Sequence, residues 1–270
     1  MPSFSSKKFC DQRRYVYLLP VFALDPISHR DREAVIASLG SGEVYVKCIE
    51  CSERGRKIPE TDSVDVGVAK IQEDSCKLNT TSSEKIKMTE AKSKFCYGEK
   101  EKERFSRILL SCYVGSYNFH NFTTRMKADD PAAHRHVISF TANTVINLDG
   151  IDFIKCQVLG KSFMLHQIRK MMGLAVAIMR NSASESLIQT AFSMDVDITV
   201  PMAPEVGLYL DECFFTSYNK NFEDSHEEVS MEAYKEEAEA FKLKHIYSFS
   251  YRRYRAKIWK YGSLVAFLEP

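Results

Sequence analysis

Apolar and polar residues along the chain follow periods that predict an α+β fold. Runs rich in aromatic and β-branched residues, typical of strands, lie at 14–22, 135–148, 151–159 and 208–215. Apolar residues at helical spacing lie at 103–113, 163–180 and 184–192. Asp149-Gly150, between the second and third runs, is a strong signal for a β-hairpin. The order of these elements predicts a mainly antiparallel sheet with helices on one face.

One long segment, 50–104, does not follow these patterns. It is rich in Ser, Thr, Glu and Lys, carries twelve acidic and twelve basic residues, and its apolar residues have no regular period. Such a segment cannot bury enough surface to offset the entropy lost on ordering. We therefore expect a disordered insertion in a loop of the domain.

Composition and charge exclude several classes of protein. The 270 residues are 44% hydrophobic and carry a net charge of +1, as in globular proteins and unlike histones or acidic tails. No apolar run approaches the length of a membrane helix, and 1–10 lacks the apolar centre of a secretory signal.

The eight cysteines are irregularly spaced, which favours a reducing compartment over a disulfide framework. Cys48 and Cys51 form a single CxxC, and a zinc site there would need Cys76 and Cys96 from the insertion as further ligands. A closed zinc site normally has paired ligand groups, so we expect no metal.

The predicted helix at 163–180 carries an unusual polar face. His166, Arg169, Lys170 and Gly173 recur at helical spacing, and cations near a helix N-terminus are disfavoured by the helix dipole. A carboxylate or phosphate partner would explain them, and an ordinary solvated face is the alternative.

A second candidate surface lies on the first predicted strand. Arg13, Tyr15 and Tyr17 alternate, so their side chains share one face and suit base stacking. Ordinary packing of aromatic residues in the core is the alternative.

Two further stretches allow both a structural and a binding role. His120, among the aromatic residues of 115–122, is more typical of a structural histidine than of a phosphate ligand. The C-terminal stretch 251–261 interleaves aromatic residues with five cations, which suits both RNA contact and an amphipathic helix packed on the domain. The chain has no phosphate-binding glycine loop, metalloprotease motif or hydrolase nucleophile motif.

Four blocks of sequence resemble the TruA-type tRNA pseudouridine synthases, especially their eukaryotic branch. They are, in order, CDQRRYVYLLP at 10–20, YNFHNFT at 117–123, GKSFMLHQIRKMMG at 160–173 and PMAPEVGLYL at 201–210. Order and approximate spacing match the family if 50–104 is an insertion.

The resemblance implies a fold and a reaction. The family fold has two similar α+β lobes with the active cleft between them, and this chain corresponds to the C-terminal lobe. The lobe would start in 1–49 and continue in 105–221, and 222–270 would add an acidic helix and a basic, aromatic extension. Family members isomerise uridine to pseudouridine in tRNA, without cofactor or metal, after the uridine leaves its stack.

The resemblance also implies roles for individual residues. Tyr15 matches the tyrosine that stacks on the target base, and Arg169 matches the arginine that pairs with the catalytic aspartate. Leu208 and Leu210 match the strand that lines the base pocket, and Arg13 and His166 would add contacts to the substrate.

The family's catalytic motif, G-R-T-D-x-G-V-H-A, is absent from this sequence. The stretch from Gly55 to Asp62 is only superficially similar and lies in the insertion. We therefore identify no catalytic residue, and we expect an N-terminally incomplete synthase that is inactive alone. A non-catalytic RNA-binding module and a truncated product are the rival interpretations. The expected partner is tRNA, with other RNA left open and no membrane. The expected location is the nucleus, with mitochondrion and plastid as alternatives.

Overall fold

The computed structural model describes residues 4–25, 97–124, 126–225 and 227–261, with only the backbone at 109, 110 and 255–261. Five strands form one sheet: β1 Gln12–Pro20, β2 Gly115–Asn118, β3 His134–Leu148, β4 Ile151–Gly160 and β5 Leu208–Phe214. The α-helices are α1 Ser6–Phe9, α2 Glu99–Tyr113, α3 Gln167–Met179, α4 Ser186–Thr190, α5 Thr216–Asn221, α6 Lys235–Phe241 and α7 Ser248–Tyr261. None of these described helices is long and apolar enough to cross a membrane.

The sheet has the strand order β2-β3-β4-β1-β5, and every neighbouring pair is antiparallel. Asp149 and Gly150 join β3 to β4 with φ values of 46° and 85°, the conformation that a two-residue hairpin turn requires. The predictions of an α+β fold, an antiparallel sheet and a hairpin at this dipeptide are confirmed.

The middle of β1 is covered on both faces. Val16, Tyr17, Leu18 and Leu19 are consecutive and all fully buried, although alternate residues of a strand point to opposite faces. Phe140 and Tyr15 are both strand partners of Val158, so their side chains lie on the same face of the sheet. Helix α2 covers this face, because its Tyr113 ring lies 6.2 Å from the ring of Phe140. A buried central strand therefore positions Tyr15 at the margin of the core.

The opposite face of β1 is covered by a C-terminal helix, Lys235–Tyr261, in which a π-helical stretch joins α6 to α7. The hydroxyls of Tyr247 and Tyr209 lie 3.3 Å apart, and Tyr209 is the strand partner of Val16. Tyr251 and Tyr254 are buried against the domain. The amphipathic packing predicted for the start of 251–261 is therefore confirmed.

An ion cluster around Asp211 ties this helix to the sheet. Arg14 Nε donates to Asp211 Oδ2 at 2.7 Å, Lys242 Nζ lies 2.6 Å from Oδ1, and the Asp211 side chain is 2% exposed. Burial by itself would raise the pKa of Asp211, but Lys242 and Arg14 outweigh burial and hold the pKa below its ordinary value. The cluster therefore requires an ionised carboxylate.

We expect Asp211→Asn to lower the free energy of unfolding by about 2 kcal/mol at neutral pH, because two partly buried cations lose their shared partner. A lowered folded-state pKa contributes stability above the unfolded pKa of about 4, and this contribution disappears as pH falls through the folded value. Urea denaturation should therefore show the two proteins converging below about pH 4. The exposed pair of Glu232 and Lys235 provides the control, Glu232→Gln, which should have little effect. A deficit independent of pH would contradict the assignment.

The start of helix α2 differs from the sequence prediction. Helix α2 begins at Glu99 rather than 103, so 99–104 are helical and not part of a disordered insertion. Glu99 and Glu101 in its first turn interact favourably with the helix dipole. Most of the predicted insertion, with Cys48, Cys51, Cys76, Cys96 and the stretch from Gly55 to Asp62, lies outside the described residues.

Candidate functional site

Tyr15 lies on a partly open surface where β1 passes between β4 and β5. Its strand partners are Val158 on β4 and Leu210 on β5, which is 49% exposed. The ring of Phe163, from the loop after β4, meets the Tyr15 ring edge-on at 5.5 Å between centroids. The three side chains Tyr15, Phe163 and Leu210 thus offer an aromatic and apolar surface beside solvent.

Phe163 is placed by the loop that leads from β4 to helix α3. A Cβ atom at Gly160 would lie 2.7 Å from Phe163 Cζ and 3.0 Å from a backbone oxygen, so only glycine fits beneath the ring. Apolar periodicity places Phe163 in a helix and does not reveal this role. The one sequence signal for this role was Gly160, but the need for glycine there depends on the close approach of β3, which the sequence does not show.

Arg13 begins the polar side of this surface. Its Nη1 donates to the Lys161 carbonyl at 3.0 Å, which links β1 to the loop that carries Phe163. Burial raises the pKa of Tyr15, and nearby Arg13 lowers it in part. The Tyr15 phenol is therefore neutral at physiological pH and can stack without charge.

Tyr17 does not join the surface. It is fully buried, its hydroxyl donates to the Pro204 carbonyl at 2.9 Å, and it lies 3.1 Å from the hydroxyl of Tyr254. Leu208, the strand partner of Tyr17, lies on the same inner row. Of the two predicted tyrosines, Tyr15 is available for stacking and Tyr17 belongs to the core.

Arg169 is the only residue of helix α3 that is not buried. Its Nε donates to the Ala203 carbonyl at 2.7 Å, and its own backbone carbonyl accepts from the Ala203 amide at 3.0 Å. Pro204, whose carbonyl holds Tyr17, is the next residue of the same segment. Segment 203–204 therefore connects Arg169 to strand β1 through hydrogen bonds to both.

The outer end of the Arg169 guanidinium has a weak acidic contact. Within the described ranges, the one carboxylate within 4 Å is that of Glu205, at 4.0 Å from Nη1. This distance is too long for a hydrogen bond, and the Glu205 side chain is 83% exposed. The Arg169 side chain is 12% exposed, so this largely buried cation has no close carboxylate among the described residues.

The predicted face of His166, Arg169, Lys170 and Gly173 is wrong for His166 and Lys170, whereas Arg169 and Gly173 both lie against Ala203. Helix α3 begins at Gln167, and His166 precedes it in a left-handed conformation, with φ 63°. Lys170 is buried, and its Nζ donates to the Thr123 carbonyl at 3.1 Å. Carbonyls from other segments of the chain therefore accept hydrogen bonds from the Lys170 ammonium and from Arg169 Nε.

A polar cavity of about 350 Å³ lies beyond Lys170, between 120–128 and 194–199. His120 at its margin is buried, with Nε2 3.0 Å from the Val196 carbonyl and Nδ1 3.1 Å from Asn118 Oδ1. The structural interpretation of His120 is thus supported. Asp195 and Asp197 line the cavity together with Lys127 and Lys170, so the opposite charges of its lining balance.

Comparison with known proteins connects this arrangement to a family. Residues 109–216 match the family model described as tRNA pseudouridine synthase. A human protein, "Pseudouridylate synthase 1 homolog", is 30% identical over 90% of this chain and 43% of its own length. The chain belongs to the tRNA pseudouridine synthase family. This confirms the resemblance seen in the four sequence blocks.

Two fungal relatives support the membership. The "tRNA pseudouridine synthase 1" of Yarrowia lipolytica is 31% identical over 91% of this chain and 51% of its own length. The Schizosaccharomyces pombe protein of the same name is 38% identical over 52% of this chain and 27% of its own length. The chain thus spans about half or less of the length of these relatives.

The family match contains part of the candidate site. Phe163, Arg169, Leu208 and Leu210 lie inside 109–216, whereas Tyr15 precedes it. The family motif with the catalytic aspartate is absent from the 270 residues. Among the described residues, no carboxylate lies within hydrogen-bonding range of Arg169.

Proposed function

We propose that this chain supplies the uridine-binding side of a tRNA pseudouridine synthase, which isomerises uridine to pseudouridine in tRNA. The observation that carries the proposal is the largely buried Arg169, held by Ala203 beside the tyrosine strand and 4.0 Å from its nearest described carboxylate. The family membership supplies the reaction.

Arg169 is suited to hold a carboxylate. A guanidinium has five N–H donors, and Nε is already bonded to the Ala203 carbonyl, which fixes the orientation of the group. The outer nitrogens can then bind both oxygens of one carboxylate. A buried cation without a carboxylate is costly, so the arrangement favours an aspartate arriving from elsewhere in the assembled enzyme.

Tyr15 is suited to hold the target base. A uridine that leaves its stack loses a few kcal/mol of stacking and pairing, which an aromatic platform can restore in part. The neutral Tyr15 ring, fixed at its edge by Phe163 and flanked by Leu210, offers such a platform. In the family reaction the base detaches from ribose at N1 and is rejoined at C5, with loss of the C5 proton.

The test is tritium release from tRNA labelled at uridine C5, because forming the new bond sends that hydrogen to water. The purified chain should release none above background, since it lacks the catalytic motif, and the S. pombe relative should serve as the positive control. Release by the chain would show that an unrecognised carboxylate acts. Asp62→Ala and Arg169→Ala would then be compared.

Binding is measured separately by retention of the same tRNA at low salt. We expect binding, and we expect Tyr15→Ala to weaken it about tenfold while Tyr15→Phe, which keeps the ring, has little effect. Binding without release would also agree with a non-catalytic RNA-binding module, the second candidate, which the missing motif favours. No binding at all would contradict both functions.

The location and the range of partners belong to the same proposal. The resemblance to the eukaryotic branch favours the nucleus, and tRNA is the proposed partner ahead of other RNA. Fluorescence of the tagged chain in a eukaryotic cell would test the location. A wholly cytoplasmic signal would contradict it.

A further inference from the structure

The C-terminal helix presents a row of aromatic and cationic side chains to solvent. Phe241, His245, Phe249 and Arg253 follow at intervals of four residues, and this set is called the aromatic stripe below. The rings of Phe241 and His245 lie 4.7 Å apart, and the Arg253 guanidinium lies 5.3 Å from the Phe249 ring centre. Phe241 is 58% exposed and Phe249 is 51% exposed, so both rings are accessible.

The stripe is mounted on a fixed support. On the inner side of the same helix, Tyr247, Ser250, Tyr251 and Tyr254 are buried. The Ser250 hydroxyl donates to the Val206 carbonyl at 2.8 Å, and the Tyr254 hydroxyl donates to the Leu18 carbonyl at 3.3 Å. The outer rings are therefore exposed because the helix is docked by its other face, and ligand binding would order few additional side chains.

From Phe241 onward the charge along the stripe is positive, whereas Glu237, one turn before Phe241 on the same helix, is exposed and acidic. From 240 to 261 the sequence has seven lysines and arginines, one histidine and no acidic residue. Lys244, Arg252 and Arg253 are exposed along the described part of this range. A partner protein that covered Phe241 and Phe249 with an apolar surface would also bury or approach these cations, whereas a polyanion with flat rings complements both features.

The helix that carries the stripe contacts β1, the strand of Tyr15, from the other face of the sheet. Tyr254 follows Arg253 directly and lies 3.1 Å, hydroxyl to hydroxyl, from Tyr17, which is two residues from Tyr15 on β1. The four stripe residues span about 18 Å along a helix with a rise of about 1.5 Å per residue. This length accommodates several nucleotides.

We propose that the aromatic stripe is a second RNA-binding surface, on which unpaired bases of the bound RNA stack against Phe241 and Phe249 while Arg253 and its neighbours contact phosphates. The inference rests on the proposed function, because it concerns the RNA held at Tyr15. It adds a sequence-tolerant contact outside the uridine pocket.

The first experiment measures dissociation constants of the full chain for unfractionated tRNA at fixed low salt. Phe249→Ala should weaken binding about tenfold, and Phe249→Tyr, which keeps a stacking ring, should bind as the parent does. Phe249→Leu keeps an apolar side chain without a ring and should weaken binding as alanine does. Tyr234→Ala is the matched control, since Tyr234 is also 58% exposed and lies outside the stripe.

The second experiment detects stacking directly. Phe249→Trp is placed in a Trp259→Phe background, so that the reporter is the only tryptophan. Titration with an oligouridylate should quench its fluorescence, and the same tryptophan at Tyr234 should be unaffected. Arg253→Gln should reduce the slope of log affinity against log salt by about one.

The outcomes separate this inference from the proposed function. Loss of binding with Tyr15→Ala but not with Phe249→Ala would overturn the stripe and leave the uridine site standing. Loss with Phe249→Ala but not with Tyr15→Ala would support the stripe and contradict the role of Tyr15. Equal binding by Phe249→Leu and the parent would overturn stacking, and unquenched fluorescence would do the same.

Discussion

Replacing Gly173 with alanine should destabilise the protein by about 2–3 kcal/mol, although alanine normally stabilises a helix interior by about 0.5–1 kcal/mol relative to glycine. The reason is the close approach of helix α3 to 201–203. A Cβ atom at 173 would lie 2.2 Å from the Pro201 carbonyl oxygen and 3.0 Å from the Ala203 amide. Both are backbone atoms, so the segment itself would have to move.

The same substitution should disturb the candidate site, because Ala203 is the residue that holds Arg169 by two hydrogen bonds. Urea denaturation gives the change in the free energy of unfolding, and tRNA retention gives the effect on the site. Gly98→Ala is the matched control, since a Cβ there meets only the flexible Glu101 carboxylate at 3.1 Å. It should cost at most about 1 kcal/mol, as expected at a helix N-cap. If the Gly173→Ala protein were more stable than the parent, the backbone of 201–203 would move away from the added Cβ atom at no cost, which would contradict this prediction.

Replacing Tyr254 with alanine should cost about 3–4 kcal/mol and loosen the end of the C-terminal helix. Tyr254 is 3% exposed, lies 5.8 Å from the Phe153 ring and shares hydroxyl contacts with Tyr17 and the Leu18 carbonyl. Its removal leaves a cavity and takes one partner from the Tyr17 hydroxyl. Hydrogen exchange along 248–261 should therefore accelerate more than exchange in the sheet.

Comparing Tyr254→Ala with Tyr254→Phe separates the contribution of the Tyr254 ring to stability from that of its hydroxyl. Tyr254→Phe keeps the ring and should cost about 1 kcal/mol, the typical value of one hydrogen bond. Arg252→Ala changes an exposed neighbour on the same helix and should stay within about 0.5 kcal/mol of the parent. If Tyr254→Ala were no worse than Tyr254→Phe, the helix would be held mainly by its other contacts, such as the Lys242 and Asp211 pair.

Elements that depend on residues close in sequence could be predicted, whereas the boundaries set by contacts with distant residues could not. The hairpin at Asp149-Gly150 is a local feature, since two positive φ values favour these residue types, and the dipeptide alone predicts it. The start of α3 was misplaced by four residues, because tertiary contacts of Phe163 with Gly160 and Tyr15 keep 163–166 out of the helix. Apolar periodicity alone does not reveal such contacts.

The candidate site shows the same division. The sequence by itself determined the antiparallel α+β fold, the tyrosine strand and, through its motif blocks, the family, because these depend on local periods and residue identity. Only the tertiary structure separated Tyr15 from Tyr17, gave Lys170 to the loop carbonyls and placed Arg169 beside Ala203. Neighbouring residues of one strand or helix carry similar sequence signals. Which of them meets solvent and which meets the core depends on the elements that pack against them, and those lie tens of residues away in sequence.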